Sequence, residues 1–312
     1  MSVHVAGVDA PERRGGWTPD IDRRLVTLAS PTRGVLEPYV DSLTASDRLT
    51  LVPDTHYPFH PSTGMVTDPA VVGSIARQLA DWTDADVAVA GATDDRIAFD
   101  RTADYLGYPG IAERFDLELV DLADDDRQNV VVPVDDEQVS VTVPDRLLES
   151  TVVVVPTLRP TEDGPVAGGT RTLGRLATSV AGADETAIAT TRAVDPALSV
   201  LDATTVYSGD PVAADALFAG PTPQVDAVGS SLLERSIELD PALRRLLDED
   251  ISSITVESVT DDATVDLASL RRRLPDGELP PRDETHPAVT AAYRLYAAVA
   301  GDAVPPQLEQ PR

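Results

Sequence analysis

The chain contains no cysteine and no lysine, and aromatic residues make up only 4% of its 312 positions. The missing thiols exclude disulfides, thiolate nucleophiles, cysteine zinc sites and cysteine-ligated iron–sulfur clusters. The missing lysines leave arginine, 25 residues of it, as the only strong base. No apolar run approaches the roughly 20 residues that span a bilayer, so no membrane partner is expected. The opening residues Met1 to Ala10 lack a charged segment followed by a continuous apolar one, the pattern of a secretory signal. These absences lead to the expectation of a soluble, cytoplasmic protein.

What the chain has in excess is acid. Fifty-three Asp and Glu residues against 25 basic ones give a formal net charge of −28. The carboxylates run from Asp20 to Glu309 without a long acidic tail, and short clusters such as Asp124-Asp125-Asp126 sit between apolar segments. Such a whole-surface excess repels itself in dilute buffer. At molar ionic strength the screening length falls to about 3 Å and the repulsion becomes tolerable. A salt-adapted protein of the extreme-halophile type is therefore expected. Nucleic acid is not, because phosphate contacts need a basic face. The trio Arg271-Arg272-Arg273 reads as a solvated helix face.

With 42% hydrophobic residues the chain is long enough to bury a sizeable core. Its periodicity alternates. Strand patterns at Val3–Val8, Leu49–Val52, Asp86–Ala90 and Leu117–Leu122 are separated by helical ones, from Pro19 to Ala29, from Arg33 to Leu43, from Pro69 to Trp82 and near Asp100–Leu106. Thr67-Asp68-Pro69 supplies an N-cap and a first-turn proline. Val130–Val134 and Gln138–Val143 flank Asp135-Asp136 as a β-hairpin, and Thr151–Val155 is the most strand-like run, with both faces buried. A polar loop from Pro156 to Gly169 leads to a helix from Thr170 to about Val180 and a strand at Leu198–Val206. Then come a helix at Val225–Arg235, a strand at Ser252–Val259 and helices at Leu267–Leu274 and Pro287–Ala300. This order predicts an α/β fold: a parallel or mixed sheet with helices on both faces over residues 1–260, and a short helical C-terminal extension over 261–312. Whether the first 44 residues join the sheet is left open.

The segments Leu49 to Asp54, Thr67 to Val72, Val87 to Gly91, Leu106 to Tyr108 and Leu119 to Leu122 resemble, in order and spacing, the family catalogued as domain of unknown function 362. Val143 to Glu149, the strand into Val155-Pro156, Leu201 to Ala203 and Ala219 to Asp226 continue the resemblance, which covers about residues 45–235. It implies polar motif residues at Asp68, Asp202 and Asp226. The chain departs from the family's pattern where Val52 replaces a lysine before Pro53-Asp54, and where Thr157-Leu158-Arg159-Pro160 stands in place of a Lys-x-His element. The ferredoxin-like segments of many relatives are excluded by the absence of cysteine.

Three loops follow putative parallel strands, where open α/β sheets bind ligands: 54–68, 91–96 and 157–171. In the first, Asp54, His56 and His60 offer one carboxylate and two imidazoles to a divalent metal. The bland reading is a loop stiffened by Pro58 and Pro61. In the third, Gly168-Gly169-Thr170-Arg171 precedes a helix, where free amides and the guanidinium groups of Arg159 and Arg171 would suit an anion, or else form an ordinary cap. Two functions stay open: an enzyme for a small anionic or metal-bound ligand, and a non-catalytic scaffold or binding protein that has lost the family's polar residues. Substrate and oligomeric state are not legible.

Overall fold

The computed structural model describes residues 2–9, 21–56, 59–93, 97–247, 254–259 and 265–274. From the N-terminus the elements are β1 (Ser2–Gly7), α1 (Ile21–Leu36), α2 (Val40–Leu43), β2 (Arg48–Pro53), α3 (Pro69–Trp82), β3 (Asp86–Gly91), α4 (Phe99–Leu106), α5 (Tyr108–Phe115) and β4 (Glu118–Asp121). The hairpin β5 (Arg127–Val134) and β6 (Glu137–Pro144), α6 (Asp145–Leu148), β7 (Thr151–Val155), α7 (Gly169–Gly174), α8 (Ala183–Val194), β8 (Leu198–Ser208) and β9 (Asp210–Gly220) follow. The described chain ends with α9 (Thr222–Leu232), α10 (Pro241–Leu246), β10 (Thr255–Ser258) and α11 (Leu267–Arg273).

Eight strands form one mixed sheet in the order β10-β1-β9-β8-β7-β2-β3-β4. The run β8-β7-β2-β3-β4 is parallel throughout. β9 runs antiparallel to both of its neighbours, β8 and β1, and β10 lies parallel to β1. The first strand is thus an integral part of the sheet. β7 shows why the centre is stable: Val153 and Val155 point to the face covered by α1 and α3, while Val152 and Val154 point to the face covered by α7, α8 and the hairpin. All four are buried. Each contributes about 1.5–3 kcal/mol relative to exposure, and β-branched side chains suit the pleat.

Connectivity creates a crevice. From β2 the chain passes through α3 to β3 on one side, whereas from β7 it passes through α7 and α8 to β8 on the other. Ile75 and Leu79 of α3 pack with Leu49 and Leu51. Leu173 of α7 packs with Val52 and Val152 on the opposite face. The neighbours β2 and β7 therefore send their chains in opposite directions and onto opposite faces. That is the switch point at which doubly wound sheets open a ligand crevice outside the strands' carboxyl ends.

Four sequence expectations change. α1 continues through Pro31, beyond the break expected after Ala29, because Leu28, Pro31, Thr32, Val35 and Leu36 are buried and hold the turn on the sheet. α7 ends at Gly174, short of Val180, and α8 occupies the alanine- and threonine-rich stretch where no element was expected. β9 was also missed. Its alanine- and aspartate-rich run has little intrinsic strand preference and is imposed by pairing with β8 and β1. The helix expected over 287–300 lies outside the described residues.

Gly64 closes the loop after β2 with φ +70°, and a Cβ there would lie 2.6 Å from the backbone nitrogen of Tyr207. Gly64→Ala therefore meets both a disfavoured dihedral and a backbone clash. It is expected to destabilise by more than about 1 kcal/mol, measured by denaturant unfolding at constant salt. A change within about 0.5 kcal/mol would show that the loop does not seat against β8.

Candidate functional site

At the carboxyl end of β2 the Asp54 amide donates to the Thr67 hydroxyl (2.8 Å), and that hydroxyl donates to the Val155 carbonyl at the end of β7. One threonine thus ties the two strands at the switch point. The Thr67 amide returns to the Asp54 carbonyl (3.1 Å), closing the loop 54–67 at its base. The loop after β7 is fixed by the Leu158 amide on the Asp202 carbonyl (2.9 Å) and by the Ala167 amide on the Arg159 carbonyl (2.9 Å).

These two loops bring Asp54, His56 and Arg159 together. Asp54 Oδ1 lies against His56 Nδ1, and Asp54 Oδ2 accepts from Arg159 Nη2 at 3.0 Å. The side chains of Asp54 and Arg159 are 3% and 4% exposed, while a third of the His56 side chain (33%) reaches solvent. Arg159 Nη2 is 3.3 Å from both ring nitrogens of His56. An atom equidistant from both at that range sits over the ring, so the guanidinium stacks on the imidazole and leaves its lone pair alone. Burial would raise the Asp54 pKa, but Arg159, then His56, outweigh it and hold the carboxyl well below the usual range. Burial lowers the His56 pKa, and the charges of Arg159 and Arg175 add to that, against the opposing pull of Asp54. The ring is neutral at pH 7, with the ionised carboxylate placed to accept its Nδ1 proton and so leave Nε2 as the basic nitrogen.

A second buried group flanks the first. Asp68 caps α3 by accepting from the Ala70 amide (2.8 Å) and forms an ion pair with Arg24 of α1. The Asp68 amide donates to Asp202 Oδ2 (2.8 Å), and Asp202 Oδ1 accepts from the amide (2.9 Å) and hydroxyl (2.7 Å) of Thr204. Burial, reinforced by Asp68, raises the Asp202 pKa to about 6. On the β7 side the Asp226 carboxylate accepts from the amides of Gly169 (2.8 Å) and Thr170 (2.9 Å). A Cβ on Gly168 would lie 2.1 Å from Asp226 Oδ1, so only glycine permits that approach. Burial lifts Asp226 to about 6 despite those bonds. Arg171 is held by Asp184 and Asp240, both at 2.7 Å.

The sequence-derived sets therefore divide. Asp54 and His56 meet, but His60 turns to cap the short helical turn Pro61–Thr63, accepting from the Ser62 amide at 3.2 Å. No three His, Cys, Asp or Glu side chains among the described residues are grouped to hold a metal ion. The Gly169 and Thr170 amides and the Arg171 guanidinium all have carboxylate partners within the chain, so this segment is internally saturated. Arg159 joins Asp54 and His56. Arg24, Thr67, Tyr108, Thr204 and Arg175 escaped the sequence reading because nothing local marks them.

The fold and crevice define an α/β protein with a switch-point polar site. The chain belongs to the family described as Domain of unknown function (DUF362), whose model matches residues 50–229, more than half its length. No curated protein matches it. It is similar to a crystal structure of a protein from Thermotoga maritima solved by the Northeast Structural Genomics Consortium, with 12% identity and a TM-score of 0.36. That match covers 61% of this chain and 52% of the other, about half of its length. No helix among the described residues is long and apolar enough to cross a membrane.

Two titrations check these electrostatics. The His56 ring is expected to titrate below its ordinary value of about 6.5 by NMR, and a value above it would contradict the buried, arginine-flanked placement. Two carboxyl groups, Asp202 and Asp226, are expected to titrate near pH 6 in carboxyl ¹³C spectra. Because their folded values are raised, the native state holds extra protons below about 6, so their contribution to stability is present at low pH and lost as pH rises through about 6. If every aspartate titrates below pH 5, these two are not buried as described.

Proposed function

We propose that the β2–β7 crevice is the working site of an enzyme for a small anionic ligand, with His56 as proton acceptor and Asp54 as the group that orients it. The observation that carries this reading is the coincidence of the Asp54–His56–Arg159 cluster with the point where the sheet's connectivity reverses. A dyad of buried carboxylate and half-open imidazole fixes the tautomer and aims the basic nitrogen at whatever enters, the arrangement general-base catalysis requires. Such a base contributes typically 10²- to 10⁴-fold in rate.

Charge around His56 favours an anion. Arg159 and Arg175 both bear on the ring. Arg175 is held at 3.0 Å by Asp163 in an exposed pair, and exposed pairs are weak enough to exchange for a ligand carboxylate or phosphate. A divalent metal, if one takes part, would arrive with the ligand. The acidic, lysine-free surface supports a cytoplasmic protein working at high salt, where a net charge of −28 is screened. Its unfolding midpoint is expected to fall when salt is diluted from molar to tenth-molar; a rise would contradict the salt adaptation.

Inorganic phosphate and malonate serve as probes. Either is expected to shift the His56 ring resonances saturably, and Arg175→Ala is expected to weaken that binding about tenfold. No shift at saturating probe would support the non-catalytic scaffold instead. An unchanged affinity in the variant would remove Arg175 from the ligand contact.

A further inference from the structure

Three carboxylates converge on the switch point with two guanidinium partners. Asp54 is matched by Arg159 and Asp68 by Arg24. Asp202 has neither: its oxygens accept only from the Asp68 amide and from Thr204. A buried carboxylate without a counter-charge is costly, more so beside a second carboxylate. The Tyr108 side chain, at the start of α5, is 0% exposed and its hydroxyl has no hydrogen-bond partner among the described residues. Its phenol lies in the field of Asp68 first, then Asp202 and Asp54, beyond the effect of burial itself. An unpartnered phenol oxygen thus faces an uncompensated carboxylate in the core.

We propose that this chain binds one monovalent cation, potassium or sodium, between Asp68, Asp202 and the Tyr108 hydroxyl. The ligand atoms are hard oxygens, the donors that alkali and alkaline-earth ions prefer over nitrogen or sulfur. Charge decides between them. With Asp54 and Asp68 already matched, Asp202 leaves a single negative charge, which one monovalent ion cancels and a divalent ion overshoots. The lack of any group of three His, Cys, Asp or Glu side chains among the described residues also argues against a multivalent metal site. The ion would sit on the face of the sheet that α3 covers and stabilise the native state by mass action. It is independent of the acid–base role proposed for His56.

The groups that face Asp202 are Asp68 on α3, Arg24 on α1, Tyr108 on α5, and the Asp54–Arg159 pair from the loops after β2 and β7. Among these, Asp202 is the one whose proton competes with the cation near neutral pH. The test compares thermal unfolding of the full chain in KCl, NaCl and tetramethylammonium chloride at equal molar concentration, which fixes ionic strength and excludes the small ion in one arm. At pH 8 the midpoint is expected to be higher by about 3 °C in at least one alkali salt, and the better of the two identifies the ion. This advantage should shrink at pH 5, where the proton occupies Asp202 while ordinary surface carboxylates stay ionised. It should vanish in Asp202→Asn and fall in Tyr108→Phe. Equal unfolding in all three salts at pH 8 would overturn the proposal. So would an advantage unchanged at pH 5, or one retained in Asp202→Asn or in full in Tyr108→Phe, because each marks a surface effect. Should Asp202→Asn fail to fold, the pH comparison on the unmodified chain and Tyr108→Phe decide the question. Since the readout is stability, its failure leaves the His56 reading untouched.

Discussion

The Asp54 carboxylate is the interaction on which the rest of the site depends. It stands where the topology separates two loops, and it joins them by holding an imidazole from one side and a guanidinium from the other. An unpaired carboxylate at that depth would cost several kcal/mol. The Arg159 charge cancels that cost, and the His56 ring position follows from the same bonds. Because Thr67 fastens the Asp54 amide and the Val155 carbonyl together, the backbone frame and the charge cluster are one construction.

A second constraint shapes what the crevice can accept. Both helices leaving the switch point begin with a carboxylate from this chain: Asp68 at α3 and Asp226 at α7. Amides that could otherwise cradle a phosphate are already spent. The positive charge left to meet an anion lies at the rim, with Arg175, while the interior on the α3 side is short of one positive charge. Rim and interior therefore select opposite partners, and the two readings, an anion near His56 and a cation near Asp202, are complementary.

Much of this architecture was legible because the parallel core announces itself in local pattern. Thr151–Val155 can only be a doubly buried strand, and Asp68-Pro69 can only begin a helix. The strand–helix alternation then places the loops that start at Asp54 and Thr157 on one rim, so His56 and Arg159 were visible as neighbours. The edge of the sheet was harder. β9 is a strand through its partners more than through its residues, and the Pro31 turn stays helical through burial. Tyr108 and Arg24 lie 54 residues after and 30 before Asp54, and no spacing rule links them to it. His60 shows the limit from the other side: its spacing from His56 suggests a ligand pair, but the intervening proline loop turns it to the Ser62 amide.

The most direct test of the central claim is a double-mutant cycle on Asp54→Ala and Arg159→Ala, with unfolding free energies measured at constant high salt. If one buried pair links the β2 and β7 loops, each single change costs about 3–5 kcal/mol. The double change should then cost well below the sum, with a coupling above about 1 kcal/mol. Costs that add to within about 0.5 kcal/mol would mean that the two side chains do not share a buried contact, and the crevice would lose the group that organises it.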